Sequence, residues 1–393
     1  MTPALSFLLL ALTTSPSATE PQGRYKKAPD AEMWAQLMAI GYLDGVEEAG
    51  LRSGVTVTTP QAFQGLNLYA SGHGPEAILM DMEGQVLHRW SYPYAEAFGV
   101  PAHTAAEFDW WRRVHLLEDG SLLAIYEGKG MVKLDRDSQL VWAHKGREHH
   151  DMEVLEDGTI VTLTRKPRPH GESWRADDHL AWLSPEGELM RELSLLDVIG
   201  RSELAQHYID EPDVLHTNSV RVLDGSVDHP AFREGNILLS FRHLDALAVV
   251  DPEAEEVVWT ARPGLIGPHD PTVLDERTLL VFDNRPPALN GGRGERASRV
   301  VEVDVQTGRI GWSYQAQPAT AFFSATCGAS QRLPNGNTLI TESDAGRALE
   351  VDPSGRLVWE FVSPHRAESD PTLIATLQEV ERLGDTPGWL RAK

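Results

Sequence analysis

The chain has 393 residues, 58 of them acidic and 35 basic, for a formal net charge of -23. A field of that sign repels polyanions and argues against nucleic acid or an anionic membrane as partner. The length suits one large all-β domain or two ordinary ones, and 33 Gly with 25 Pro call for many turns.

The N-terminus, MTPALSFLLLALTTSPSATEP, has an apolar run from Ala4 to Leu12, then small and polar residues to Ala18. It reads as a secretory signal peptide over residues 1–18, although no Lys or Arg precedes the apolar stretch; a short N-terminal anchor is the alternative. The run is too short to span a bilayer. A periplasmic or secreted location is the expectation. Residues 19–54 read as a helical extension, with Asp30 capping a helix through DAEMWAQLMAI.

Residues 55–365 repeat one plan six times: strand, polar turn, strand, strand ending in Asp, turn, and a last strand usually ending in Trp. The units span 65–90, 112–142, 149–193, 216–259, 269–312 and 327–359. Trp90, Trp142, Trp259, Trp312 and Trp359 close five of them, and Leu193 or Leu195 stands in at the third. Period-two alternation with Asp-Gly, Glu-Gly and Asn-Gly turns predicts four antiparallel strands per unit, a six-bladed β-propeller with the Trp residues wedged between blades. The first unit lacks a clear innermost strand, which GVTVTT (54–59) could supply. Stretches around Pro167–Asp177 and Ser226–Glu234 read as surface loops. The tail, residues 366–393, reads as helical from Asp370-Pro371 onward, docked with the N-terminal helix on the outside.

In a propeller, the start of the innermost strand and the end of the second meet at one channel mouth. Strand starts give Arg112, His149 and His150, His216 with Asn218, His269, and Cys327, the lone cysteine. Strand ends give Tyr126 and Glu127, Arg165, Arg242 and His243, Asp283, Asn284 and Arg285, and Glu342. A ring of His and Arg at one mouth of an acidic protein suits an anionic ligand. His149, on the alternate face, reads as structural, and His170, Asp177, Asp178 and His179 as loop residues without metal spacing. His103, His115 and His144 read as surface or packing residues. Trp110 and Trp111 could stack on an aryl ring, but a buried inter-blade place is favoured for them.

Three classes fit these residues: a transferase or esterase using His and Arg, a metalloenzyme, and a propeller that only binds. For the second, His150, His216 and His269 could hold a divalent metal such as Zn or Cu. The stretches HHDMEVLEDGTI, HTNSVRVLDG with GNILLSFRH, GPHDPTVLDERTLLVFDN and SQRLPNGNTLITES resemble the bacterial arylsulfotransferase family. The resemblance implies a six-bladed propeller that moves a sulfuryl group from an aryl sulfate to a phenolic acceptor through a sulfated histidine, without cofactor. It implies His216 and His269 as family histidines, with His150 assisting. It also makes Arg285 (or Arg293) the arginine; among the mouth residues read from the strand alignment, Arg112, Arg165, Asn218, Arg242, His243, Asn284 and Cys327 are the candidates for binding substrate. One departure stands out: the family's covalent histidine should fall in the last unit, and SATCGAS there carries Cys327 instead.

Overall fold

A computed structural model describes residues 45–47, 53–101, 109–209, 211–286, 296–367 and 372–391. The signal-peptide reading, the helix after Asp30, His103 and Arg293 lie outside these residues. Six antiparallel sheets are arranged radially, each innermost strand lying against the next around a central channel.

Blades 2 to 5 are built from consecutive strands, with innermost strands at Trp111–Leu116, Glu148–Val154, Thr217–Val222 and Pro268–Val273. Apolar side chains alternate into the seams between blades, where Val, Leu and Ile are fully buried. The tryptophans rivet those seams. Trp90, Trp142, Trp259 and Trp359 each donate their indole N–H to a carbonyl of the next blade: Gly120, Pro185, Val305 and Met82, at 3.0 to 3.1 Å. Trp111 is buried against Tyr126 and belongs to such a seam.

Ring closure differs from the sequence expectation. The innermost strand of blade 1 is Leu377–Leu383, paired with Leu66–Ser71. The segment Gly54–Thr58 instead adds a fifth, outermost strand to blade 6, paired with Leu357–Val362. In place of the C-terminal helix expected from Asp370 the chain forms two strands, Leu373–Ala375, paired with Gly45–Glu47 of the N-terminal extension expected to be helical, and Leu377–Leu383, so the propeller runs to residue 383 rather than 365. Burial along it follows a strand: Val380 and Arg382 are buried while Glu379 and Glu381 are half-buried, a period of two rather than 3.6. An unpaired inner edge on blade 1 would also leave a row of backbone donors unsatisfied in the channel. A short helix follows at Gly388–Arg391, with Trp389 against Trp90 on the outside.

The first expected loop is also regular. Strands Ile160–His170 and Ser173–Leu183 pair along their whole length, so residues 167–177 prolong a hairpin of blade 3. In the second, a turn of 3-10 helix at Pro230–Phe232 buries Phe232 against Trp259. Among the described residues no helix is long and apolar enough to cross a membrane.

Candidate active site in the propeller channel

Five innermost strands carry a bulge at the same end. Pairing slips between Leu377 and Glu379, Trp111 and Arg113, His149 and Met152, Thr217 and Ser219, and His269 and Thr272. A bulge frees a residue from the ladder and re-aims its side chain. The residues so released are Gln378, Arg112, His150 with Asp151, Asn218, and Asp270 with Pro271. Arg112, His150, Asn218, His269, Asp270 and Gln378 line one small cavity in the channel.

His150, His216, Asp270 and Cys327 adopt positive φ of 47 to 59°. That conformation costs a non-glycine residue on the order of 1 kcal/mol or more and is typical of functional sites. Gly328, at φ 96°, is required in place: a Cβ there would lie 2.5 Å from Phe282. In the sixth blade, then, the chain turns into the channel through Cys327-Gly328 without a bulge.

The imidazoles form a chain. His149 and His150 meet Nδ1 to Nδ1 at 2.7 Å, the His150 ring lies 5.1 Å from that of His216, and His216 lies 4.7 Å from His243. His216 Nδ1 is 2.6 Å from Asp213 Oδ2, and Asp213 Oδ1 accepts the His216 backbone N–H at 3.0 Å. The carboxylate fixes the proton on Nδ1 and leaves Nε2 with its lone pair. His269 reaches the same tautomer differently, because its Nδ1 faces two oxygens, Gly267 O at 3.1 Å and Asn284 Oδ1 at 2.7 Å. The Asn284 orientation is set by its amide donating to Ser324 O and Cys327 O at 2.8 and 2.7 Å.

All three channel histidines are held neutral. Burial, then the charges of His149 and Arg112, push His150 well below its ordinary value. Burial, then Arg242 and Arg112, do the same to His269. Burial takes His216 down to about 3, against the opposing pull of Asp213. His243 is lowered by burial too, with its Nδ1 donating to Asp213 O at 2.5 Å. Burial raises the Cys327 thiol to about 11, so it is no thiolate near neutrality.

The arginines do not all take their expected places. Arg112 lines the cavity, and the fields of Arg112 and Arg242 reach His269. Arg242 lies 3.2 Å from His243 Nε2. Arg165 is fully buried and pairs with Asp178 at 2.6 Å and with Asp213 at 3.3 Å. Arg285 instead turns toward Asp283 at 3.6 Å, so the structure does not bring it to His269. Asp283 and Glu342 hold Arg299 and Arg347 at 2.6 Å. Asn218 donates to Pro268 O at 2.8 Å, tying blade 4 to blade 5.

Several groups around the channel histidines escaped the sequence reading. Asp178, expected in a loop, is buried behind the site, 3.5 Å from His149 Nε2. His149 is part of the histidine chain rather than a structural alternate. Asp213 is three residues before His216, a spacing that could have been noticed. Beneath the histidines a charge plug fills the channel. Arg113 pairs with Asp151 at 2.6 Å, Asp270 at 3.3 Å, and Glu379; Arg221 pairs with Asp151 and Asp270, each at 2.7 Å. Asp270 also accepts the Ser330 N–H at 2.9 Å, so all six innermost strands are linked.

The convergent ligand-type groups are not the three histidines expected for a metal. Among the described residues they are Asp213 with His216 and His243, Glu127 with His149 and His150, and His73 with Glu76 and His365, ligand atoms within 4.8 Å in each.

The sequence model of the arylsulfotransferase (ASST) family matches residues 113–364. The chain belongs to that family. No curated protein matches it in sequence. A protein of unknown function from Bacteroides caccae is similar in fold, with a TM-score of 0.52 and 13% identity over 76% of this chain and 93% of that one. The Pan2 WD40 domain of Neurospora crassa gives 0.45 at 10% identity, over 80% of this chain and 81% of that one. Virginiamycin B lyase from Staphylococcus aureus gives 0.40 at 10%, over 65% and 71%.

Proposed function

We propose that this protein transfers a sulfuryl group from an aryl sulfate to a phenolic acceptor, with His216 as the nucleophile. The observation that carries the reading is the Asp213–His216 pair, an imidazole that burial holds neutral, with a carboxylate 2.6 Å behind Nδ1 that leaves the lone pair on Nε2. Nε2 attacks sulfur, the S–O bond breaks, and the phenolate departs. The resulting N-sulfo imidazolium keeps its proton on Nδ1, where Asp213 balances the ring's charge. In the second half, an acceptor phenol attacks sulfur while a neighbouring neutral imidazole, His269 or His150, takes its proton, and His216 is released.

The depressed histidines suit nucleophile and base, not acid. Protonation of the leaving phenolate, one role open to paired imidazoles, is therefore disfavoured. In this reading Arg112 and Arg242 bear the developing charge instead, a donor role worth about 3 kcal/mol of barrier. A metal-dependent reading would fall on Asp213, His216 and His243. Metal analysis of the purified protein and the effect of a chelator on turnover separate the two.

The test is release of 4-nitrophenolate from its sulfate ester with a phenol acceptor. Mass analysis after a donor-only pulse should find the sulfuryl group on His216 and none in His216→Ala. Turnover without any histidine adduct would remove the covalent mechanism.

A further inference from the structure

A second cationic site lies beside the channel. Between blades 2 and 3, a cleft of about 600 Å³ is lined by Lys129, Lys145, Arg147, Arg165 and Lys166, with Glu192 the single acid among the described residues of its wall. That sign is opposite to the chain as a whole, which carries -23. The volume lies in the range of small-molecule sites.

The rim is built rather than incidental. The buried Glu148 carboxylate accepts from Gly146 N at 3.2 Å and meets His144 Nδ1 at 2.6 Å, which locks the turn carrying Lys145 and Arg147. A Cβ on Gly146 would come 2.2 Å from Glu148 Oε1, so a larger residue there would displace the Glu148 and His144 side chains that hold the turn. Lys166 pairs with Glu192, which offsets the one acid. Tyr94 and Leu189 add apolar wall. At one end stands Arg165, the same guanidinium that ion-pairs Asp213 behind His216. The cleft and the histidine site therefore share a wall.

We propose that this cleft is a docking site for small aromatic oxyanions, sulfonates or sulfate esters, which it gathers beside the channel. Guanidinium and ammonium groups recognise sulfuryl oxygens by charge-assisted hydrogen bonds, and the apolar wall takes the ring. A neutral phenol gains nothing from it. The docking role in catalysis rests on the channel being the sulfotransfer site; the binding itself does not.

Calorimetric titration with benzene-1,3-disulfonate tests binding alone, because its sulfur is bonded to ring carbon and no sulfate ester is present to transfer. Combined Lys145→Glu and Arg147→Glu should weaken binding at least about tenfold, and the milder Lys145→Gln with Arg147→Gln by less. His216→Ala should leave it within about twofold. In turnover, charge reversal should raise KM for 4-nitrophenyl sulfate with kcat nearly unchanged. No binding to the wild type, or loss in His216→Ala but not in the charge-reversed cleft, overturns the proposal. Cleft-dependent binding in a protein that never turns over an aryl sulfate supports the cleft and sinks the sulfotransfer reading instead.

Discussion

Replacing Asp213 by Asn tests the proposed nucleophile most directly. The side chain keeps its shape, and Asn Oδ1 can still accept from His216 Nδ1, so the ring is not released into the channel. What disappears is the charge. Asp213 meets His216 at 2.6 Å and Arg165 at 3.3 Å, two charge-assisted contacts in a site where His216 is nearly fully buried. Such contacts are worth about 1.5–3 kcal/mol each. The Arg165 contact exists in every state and falls out of the rate. The His216 contact strengthens only when the ring acquires positive charge, so about 3 kcal/mol is lost from the sulfated state and its flanking transition states. That corresponds to a fall of about 100-fold in kcat, with KM little changed. If the amide also imposes the wrong tautomer, the loss approaches about 10⁴, the value the handling of a triad histidine sets as an upper scale.

The assay is the burst of 4-nitrophenolate on mixing with donor alone, which isolates formation of the adduct. Asp213→Asn should slow the burst without reducing its amplitude, and the variant should bind a sulfonate inhibitor as the wild type does. A burst rate within about threefold of wild type would refute the assignment of Asp213 and, with it, of His216 as the attacking group.

The remaining predictions concern pH, arginines, the thiol and the plug. Because the folded His216 titrates at about 3, below its ordinary 6.5, the reactive neutral ring persists as pH falls, and kcat/KM should stay level from pH 7 down to about 4, lost only as pH drops through the folded value; a fall centred near 6.5 would contradict the burial argument. Arg112→Gln should lower kcat by about 100-fold, whereas Arg285→Gln should stay within about threefold, both read by steady-state turnover. Cys327→Ala should keep activity within about threefold, since a thiol raised to about 11 takes no part near neutrality; loss of the adduct in that variant would contradict this. Asp151→Asn leaves Arg113 and Arg221 facing one another with less compensation and should cost about 3–5 kcal/mol in urea denaturation.

The repeat was legible because each blade announces itself through turn and terminal Trp. The mouth was legible for the same reason: aligning the turns brings Arg112, His150, Asn218 and His269 to one level, and the structure puts all four around one cavity. Ring closure was not legible. TLIATLQEVERL has the residues of a helix by composition, and only the vacant inner edge of blade 1, a property of the closed ring, makes it a strand. Arg285 was misplaced for a local reason: it follows the strand, and at φ 52° the backbone turns it to Asp283. Asp178 was lost because a long hairpin looked like a loop. The plug did leave a trace, since both HHD and PHD place an Asp one residue after the channel histidine, and a bulge sends those two neighbours to different levels of the channel.

Under the proposed function, the plug and the histidine ring together account for an anion site in an acidic chain. Below, Arg113 and Arg221 face three carboxylates, Asp151, Asp270 and Glu379, so that layer adds no surplus positive charge. Above it, Arg112 and Arg242 act on imidazoles that burial has already made neutral, and their charges lower His269 further. Under the proposed function this has a useful sign. A sulfuryl group entering between guanidiniums and rings offsets the cationic field, so the same histidines become more basic when substrate is present than when the channel is empty. Linkage requires the converse: protonating His269 must strengthen binding of a sulfated ligand by the same factor. The site is therefore a weak base at rest and a better one when loaded, which matches proton uptake to the step in which the acceptor phenol must lose its proton.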